Sequence, residues 1–482
     1  MGNDRWHFDG GGYSRIVEPM GVRLMTAVWD DIRRVFQLQS EHKWAAKTSS
    51  LSERQDKLSR LRSEIVARAN DIQAALSADL AKPGRTPYAP EVESMLTAID
   101  DAVAHLEDWA RPLNVEPSPN LLRTAPTVEY EARGVCLIFG PWNLPFQLLL
   151  EPLVPAIAAG NTAILHPNEL TPQTAKITAE IIRAVFDERH VAIFDGHVDI
   201  ANKLLELPVD HIFFTGSPRI GKIVMAAAAK NLATVTLELG GKCPVIIDGT
   251  HDAVESASLV AVGRHANAGQ LCLATDHAWV KRDHLPAFLD HYNAWIDNKL
   301  YRDDELDDTA MSHIVDEHNL NRILSYIDDA RARGAEIVRG GHRATRVADM
   351  IEPTIILDAP HDAQVMTEEI FGPVLPVQTF DDIGEVLHYL HGRPKPLAMY
   401  IFSDDPAFVD TVIANTSSGG VTVNGFATHI AESRLPFGGV NHSGSGRYHG
   451  IHGFHEFSNQ RAIVRHLPAP ALAPGDKAAT AV

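Results

Sequence analysis

Gly134-Val135-Cys136-Leu137-Ile138-Phe139-Gly140-Pro141 reads as an apolar strand that runs without a polar interruption into a Gly-Pro stop. Similar runs recur at Thr162-Ala163-Ile164-Leu165, His211-Ile212-Phe213-Phe214 and Pro244-Val245-Ile246-Ile247, with helical stretches such as 174–186 between them. Alternation of this kind implies parallel sheets with crossover helices, whose ligands sit beyond the carboxyl ends of the strands. Chemistry is therefore expected to begin where the first strand meets Gly140. A second α/β pattern spans about 242–426 and includes Ala398-Met399-Tyr400-Ile401-Phe402. No Pro/Gly/Ser linker separates the two patterns, so two tightly packed lobes are expected.

Upstream, the pattern turns helical from Met25. Ser50 and Glu53 have the spacing of a capping box, ahead of a long amphipathic stretch whose buried face is Leu58, Leu61, Ile65, Ile72, Leu76 and Leu80. Val128-Glu129-Tyr130-Glu131 alternates as a half-exposed strand does. Residues 1–24 are glycine-rich and aperiodic, and are expected to form a disordered, dispensable extension. The Pro/Ala-rich tail after Arg465 is expected to be extended or mobile.

At 482 residues the chain is long enough for two or three domains and a large core. Lys and Arg number 43 and Asp and Glu 62, a net charge of −19 that argues against nucleic acid or an anionic membrane surface as main partner. Cys136, Cys243 and Cys272 are too few for a disulfide framework, and no Cys-x-x-Cys pair suggests zinc, so a reducing cytoplasmic setting is expected. No run reaches the roughly 18 apolar residues of a membrane span, and no basic-then-apolar leader opens the chain. Met1-Gly2 invites a myristoylation reading, but Trp6 stands where Ser or Thr is required.

Asn267-Ala268-Gly269-Gln270-Leu271-Cys272 places one cysteine in a glycine-bearing loop, and it has two partners upstream, Pro141-Trp142-Asn143 and Glu238-Leu239-Gly240-Gly241-Lys242. A thiol, a side-chain amide and a carboxylate are the parts needed to capture an aldehyde covalently, hold its oxyanion and hydrolyse the acyl-enzyme. Taken singly, each has a bland reading: a small buried hydrophobe, an Asn ending a turn, a surface carboxylate before a Gly-Gly turn. The conjunction favours chemistry. Cys136 and Cys243, on apolar strand-like segments, keep the bland reading.

Gly216-Ser217-Pro218-Arg219-Ile220-Gly221-Lys222 follows a strand and opens an alanine-rich helix, whose first N–H groups can receive a diphosphate. The string nearly matches a Walker A loop, but Ile223 replaces the residue that holds Mg²⁺ and Pro218 removes a cradle N–H, which argues against an ATP site. Glu368-Glu369 reads first as a solvated acidic face. His449, His452 and His455 invite a metal reading, but Gly450 and Gly453 are expected to interrupt any helix that would align them, and no metal is expected.

Together these motifs resemble the aldehyde dehydrogenase superfamily over about 25–465, most of all its class 3 branch, which acts on aromatic, medium-chain and fatty aldehydes. Bacterial coniferyl aldehyde dehydrogenases are similar too. Further segments that carry the resemblance are Glu368-Glu369-Ile370-Phe371-Gly372-Pro373-Val374, Lys395-Pro396-Leu397-Ala398, Ser417-Ser418-Gly419-Gly420-Val421-Thr422-Val423-Asn424 and Leu435-Pro436-Phe437-Gly438-Gly439-Val440. The resemblance implies an α/β fold of two Rossmann-type parallel-sheet lobes plus a small β oligomerisation element. It divides the chain into a cofactor-binding lobe (25–119 and 134–239), a catalytic lobe (240–428), a return to the cofactor lobe at the active-site rim (429–458) and an oligomerisation element with tail (120–133 and 459–482). It also implies a homodimer and a small-molecule aldehyde substrate; some relatives carry an apolar C-terminal membrane anchor, but the Ala/Pro tail here does not qualify, so no anchor is expected.

Carried over residue by residue, the resemblance makes Cys272 the nucleophile, Asn143 with the Cys272 backbone N–H the oxyanion hole, and Glu238 the general base. Cofactor contacts fall on Trp142, His166, Gly216, Gly221 and Leu239; Ser217 would meet the diphosphate, Glu169 the adenosine ribose, Glu369 the nicotinamide ribose and Phe371 the nicotinamide. A carboxylate at a ribose 2′-hydroxyl favours NAD, with NADP as the alternative. His166 stands where the family usually has lysine. That loss is expected to weaken both cofactors, the phosphorylated one more at pH 8 than at pH 6. Leu271 replaces a usual Thr, and with Leu273, Trp142 and Phe146 it is expected to build an apolar funnel for aromatic or medium-to-long aldehydes. Branches that pass the acyl group to coenzyme A typically lack Glu238, so a free acid is the expected product. The alternative readings are an acyl-transferring or reductive relative forming a thioester, and a non-catalytic relative that keeps the fold.

Overall fold

The apolar run at Val135–Phe139 is a strand and the centre of a six-stranded sheet in the computed structural model, which describes residues 6–8, 13–15, 20–84 and 87–468. Thr162–His166 and then Val191–Ile193 pair with it in parallel on one side, and His211–Gly216 and then Thr234–Leu239 on the other. All residues of the central strand are buried, which is why the run carries no polar side chain. Strand order reverses between Val135–Phe139 and His211–Gly216, and a crevice opens beyond their carboxyl ends. Gly444–Ser445 closes the far edge antiparallel to Thr234–Leu239, with Gly444 opposite Glu238.

Seven strands form the second sheet, in the order Glu336–Arg339, Thr354–Leu357, Val374–Phe380, His277–Lys281, Pro244–Ile247, Ala398–Phe402 and Gly420–Val423. All pairings but the first are parallel. Residues 240–243 join Leu239, the end of a first-sheet strand, directly to Pro244, the start of a second-sheet strand. So short a connection sets the carboxyl edge of one sheet against the amino edge of the other. The approach there is close at two glycines. A Cβ on Gly240 would fall 2.2 Å from the Glu369 carboxyl oxygens, and one on Gly241 (φ +154°) 3.1 Å from Pro396 Cα.

The first helix, Met20–Lys47, begins before the Met25 expected and packs Ile32 and Val35 on the first sheet, while Gln39 Nε2 donates to the carbonyls of Ala163 (2.9 Å) and Glu188 (3.0 Å). The capping box forms: Ser50 Oγ accepts from Glu53 N at 3.2 Å and Glu53 Oε2 from Ser50 N at 2.7 Å. The amphipathic stretch it starts is broken at Arg68 into helices Leu51–Ala67 and Ala69–Leu80, which share the expected buried face.

A third, three-stranded sheet pairs Thr124–Ala132 antiparallel along its whole length with Ser458–His466, and on its other side with Leu113–Asn114. The disorder expected for 1–24 falls largely outside the described residues. Those described are two paired strands, Trp6–Phe8 and Tyr13–Arg15, and the start of the first helix. Of the expected mobile tail, most again lies outside them. Among the described residues no helix is long and apolar enough to cross a membrane.

One expectation is corrected outright. Gly450–Glu456 is helical despite its two glycines: Gly450 takes φ +49° at the first position, and Gly453 lies against Pro155, where a Cβ would come within 3.1 Å. The histidines nevertheless diverge. His449 faces Glu151 (3.3 Å), His452 faces the Arg434 carbonyl, and His455 stacks on Tyr130 with ring centroids 4.3 Å apart.

Candidate active site

Cys272 lies at the amino edge of the second sheet, just ahead of the His277–Lys281 strand. The loop that carries it is unusual. After helix Ala253–His265, Asn267 (φ 51°), Ala268 (φ 54°) and Gly269 (φ 75°) are all left-handed, a conformation that disfavours the two residues with a Cβ. Gly269 is obligatory, because a Cβ would meet the Gly372 carbonyl oxygen at 2.3 Å.

Buried partners hold this loop. The Arg264 guanidinium, fully buried, donates to the carbonyls of Gly269 (2.9 Å) and Thr275 (3.0 Å) and faces Asp276 Oδ1 (3.4 Å). Asp276 also accepts from Ile370 N (3.1 Å) and pairs with Lys242, whose ammonium donates to the carbonyls of Val365 (2.7 Å) and Glu368 (3.0 Å). Burial works against ionisation of Asp276, but Lys242 and Arg264 outweigh it and hold the carboxyl below the usual range. One carboxylate thus ties together the Cys272 loop, the connection between the two sheets and the Glu369 loop. Tyr400 donates to the Leu273 carbonyl (2.6 Å), and the Cys243 thiol donates to the Cys272 carbonyl (3.4 Å).

Asn143 sits in the turn after the central strand of the first sheet and is 4% exposed. Its Nδ2 donates to the Gln270 carbonyl at 2.9 Å, and its own carbonyl accepts from Asn267 Nδ2 (3.0 Å) and Lys82 Nζ (2.7 Å). Glu238 is buried on Thr234–Leu239, and neither carboxyl oxygen has a partner among the described residues. Burial pushes this carboxyl well up, reinforced by Glu456 and Glu151 and opposed by Arg447. The half-buried Cys272 thiol is pushed up to about 12, by burial first and then by Glu369 and Glu238. Burial thus disfavours the charged form of both groups.

A cavity of about 440 Å³ at the strand-order reversal brings Cys272, Asn143 and Glu238 together. Trp142, His166, Glu169, Gly216, Ser217, Leu239, Glu369 and Phe371 line the same space. Gly221 does not: it is buried in helix Pro218–Ala229, and a Cβ there would meet Leu239 at 3.0 Å. Ser217 caps that helix, its Oγ accepting from Ile220 N (3.4 Å). Lys222 and Ile223, the residues behind the Walker-like reading, are exposed on the helix. Glu369 Oε1 accepts from Gly241 N (3.1 Å), and burial raises this carboxyl to about 8. Phe371 has φ 51° and meets Trp142 edge-on, ring centroids 5.4 Å apart. Asn319 and Arg322, on helix Glu317–Ala332, face the cavity as well and carry no motif that would have marked them.

His166 is 4% exposed, its Nδ1 lies 2.7 Å from the Phe194 carbonyl, and burial lowers its pKa. Burial thus favours the neutral form of the ring. The residues expected to form the funnel lie apart from this cavity, Trp142 excepted. Phe146 is fully buried, its N–H donating to Glu91 (3.0 Å), and Leu273 is buried with its carbonyl held by Tyr400. Neither these two nor the half-buried Leu271 lines the cavity; Phe146 and Leu273 pack in the core instead. Apolar walls occur instead in a second cavity of about 380 Å³ between helix Pro90–Trp109 and residues 430–450, with Trp109, Val154, Pro155, Ile430 and Tyr448 on its walls and Glu93, Asp101 and the Glu151–His449 pair beside them.

Comparison with known proteins follows the same lines. The family model described as the aldehyde dehydrogenase family matches residues 22–463. A Bacillus subtilis protein designated AldX is 42% identical over 442 residues, covering 90% of this chain and 98% of its own. A probable coniferyl aldehyde dehydrogenase of Caulobacter vibrioides is 37% identical over 413 residues, 84% of each chain. Among solved structures, Staphylococcus aureus AldH in a substrate-bound state superposes with a TM-score of 0.86 at 35% identity, covering 92% of this chain and 96% of that one.

Proposed function

The chain belongs to the aldehyde dehydrogenase family and is an oxidoreductase, and from that premise we propose that it oxidises an apolar aldehyde to the free acid with NAD, through an acyl-enzyme on Cys272. The observation that carries this reading is the convergence of Cys272, Asn143 and Glu238 on one cavity whose other walls hold Ser217, Glu169, Glu369 and Phe371.

That cavity suits a dinucleotide. It lies at the strand-order reversal and is faced by the start of helix Pro218–Ala229; Gly216 keeps it open where a Cβ would meet the Phe214 ring at 2.6 Å. Gly216 and Ser217 would receive the diphosphate, Glu169 and Glu369 the two riboses, and Trp142 and Phe371 would flank the nicotinamide. When bound, the dinucleotide supplies the hydride acceptor. At the adenosine end the described lining is His166, Asn168, Glu169, Val198 and Ala201. Among these described residues there is one carboxylate and no cation, which disfavours a 2′-phosphate and supports NAD over NADP.

The chain's own groups do the rest. Cys272 Sγ, having released its proton to solvent, bonds the aldehyde carbon, and the Asn143 amide donates to the oxyanion, worth about 2.7–4 kcal/mol of barrier. Once the hydride has left, the carbon is an acyl thioester. Glu238 as carboxylate then takes a proton from water, the resulting hydroxide adds to the thioester, and the acid departs as the Cys272 thiolate takes that proton from Glu238. The aldehyde's tail would lie toward the 380 Å³ cavity, whose Trp109 and Ile430 walls suit aromatic or medium-chain groups. The test is NADH formation with benzaldehyde, cinnamaldehyde and decanal, native protein against Cys272→Ala. Turnover lost on substitution supports the mechanism; turnover that survives it, or a preference for short polar semialdehydes, defeats it.

A further inference from the structure

Lys82 and Glu91 belong to no motif, yet they reach the site. Lys82 Nζ donates to the Asn143 carbonyl at 2.7 Å and pairs with Glu91. The other Glu91 oxygen accepts the N–H groups of Phe146 (3.0 Å) and Gln147 (3.1 Å). The pair is nearly dry, with side chains 12% and 3% exposed. It therefore grips the turn 143–147 at both ends, while the Gln270 carbonyl holds the Asn143 amide from the nucleophile side at 2.9 Å. A buried ion pair is a poor way to gain stability, since apolar groups of similar volume often serve as well. What it supplies is direction. A charged donor fixed on the backbone of a residue limits where that residue's side chain can point.

We propose that Lys82 and Glu91 are positioning residues for the Asn143 amide, holding the 143–147 turn so that the amide meets the oxyanion as it forms. The proposal rests on the reading of Asn143 as oxyanion donor. Neither residue touches the reacting atoms; both act through Asn143.

Two reagents separate this role from a merely structural one. p-Nitrophenyl acetate acylates the Cys272 thiolate with loss of p-nitrophenolate, so it needs an oxyanion donor but neither hydride acceptor nor a matched aldehyde. Iodoacetamide alkylates the same thiolate with loss of iodide and forms no oxyanion. Lys82→Met is expected to slow p-nitrophenolate release about 10- to 100-fold and leave alkylation within about two-fold. Lys82→Arg restores most of the rate. Glu91→Gln, which keeps an acceptor for the two N–H groups but removes the counter-charge, falls between. In an Asn143→Ala background Lys82→Met is expected to add less than about two-fold. Equal slowing of both reagents, or a full Lys82 effect without the Asn143 amide, overturns the proposal. Should Lys82→Met not fold, Lys82→Gln is judged by the same criteria. An Asn143→Ala protein that acylates at the native rate removes the reading of Asn143 itself, whereas a slow Asn143→Ala with an unimpaired Lys82→Met removes only the positioning role.

Discussion

The first lobe meets the site with the ends of its strands; the second meets it with loops that enter where its strands begin. Asn143, His166, Ser217 and Glu238 stand at or beside carboxyl ends of the first sheet, where the topology of an open parallel sheet puts a crevice in any case. Cys272, Glu369 and Phe371 stand on loops with no such support, and Asn267, Ala268 and Phe371 are left-handed. Buried charge replaces topology there: Arg264, Asp276 and Lys242 clamp what the sheet does not. The second lobe's half of the site is accordingly expected to be the more fragile.

The sharpest way to break that contrast is Asp276→Ala, which strands two buried cations. A loss of about 3–5 kcal/mol is expected in denaturant unfolding, together with the aldehyde activity. An Asp276→Ala protein with native stability would show that the clamp is dispensable. Gly269→Ala combines positive φ with the Gly372 carbonyl and is expected to cost about 1–3 kcal/mol, read from the same unfolding curves. On the first-lobe side, Ser217→Ala removes only a helix cap, about 0.5–1 kcal/mol. A larger stability loss at Ser217 than at Gly269 would reverse the ranking of the lobes.

Acid and alkali probe the same contrast with opposite signs. Asp276, depressed in the folded state, stabilises above its ordinary value of 3.8, and that contribution is lost as pH falls through the folded value. Glu369 is raised, so its contribution is complete below 4.5 and is lost as pH rises through about 8. Glu369→Gln is therefore expected to flatten the fall in melting temperature between pH 7 and pH 9, and an unchanged fall would assign it to other groups. The smallest effect is expected at His166→Lys, which returns a cation to the adenosine end. NADP use should rise relative to NAD, read from initial rates with each cofactor.

How far the sequence was readable follows from the same division. Strands buried on both faces announce themselves as unbroken apolar runs, so the first sheet and the crevice beyond it were legible, as was the Ser50 capping box. The three motifs that converge on the cavity were legible as motifs. Arg264 and Asp276 were not, since a helix end and a loop share no periodic signal, and Lys82 and Glu91, after one helix and at the start of the next, share none either. Phe146 misled because sequence proximity to Asn143 says nothing about side-chain direction; its N–H is spent on Glu91, and the ring turns inward. Gly450 and Gly453 misled in the opposite sense, for tertiary packing outweighed a weak local propensity.

The short strand Gly444–Ser445 completes the first sheet against Thr234–Leu239, yet residues 240–443 must be made before it exists. At ribosomal rates that delay is about 10–40 s. Throughout it, the nascent chain presents an open β edge with Glu238 uncovered, a template for pairing with other chains. A chain terminated prematurely within the second lobe would keep that edge for good, which makes it a natural client for chaperones and proteases.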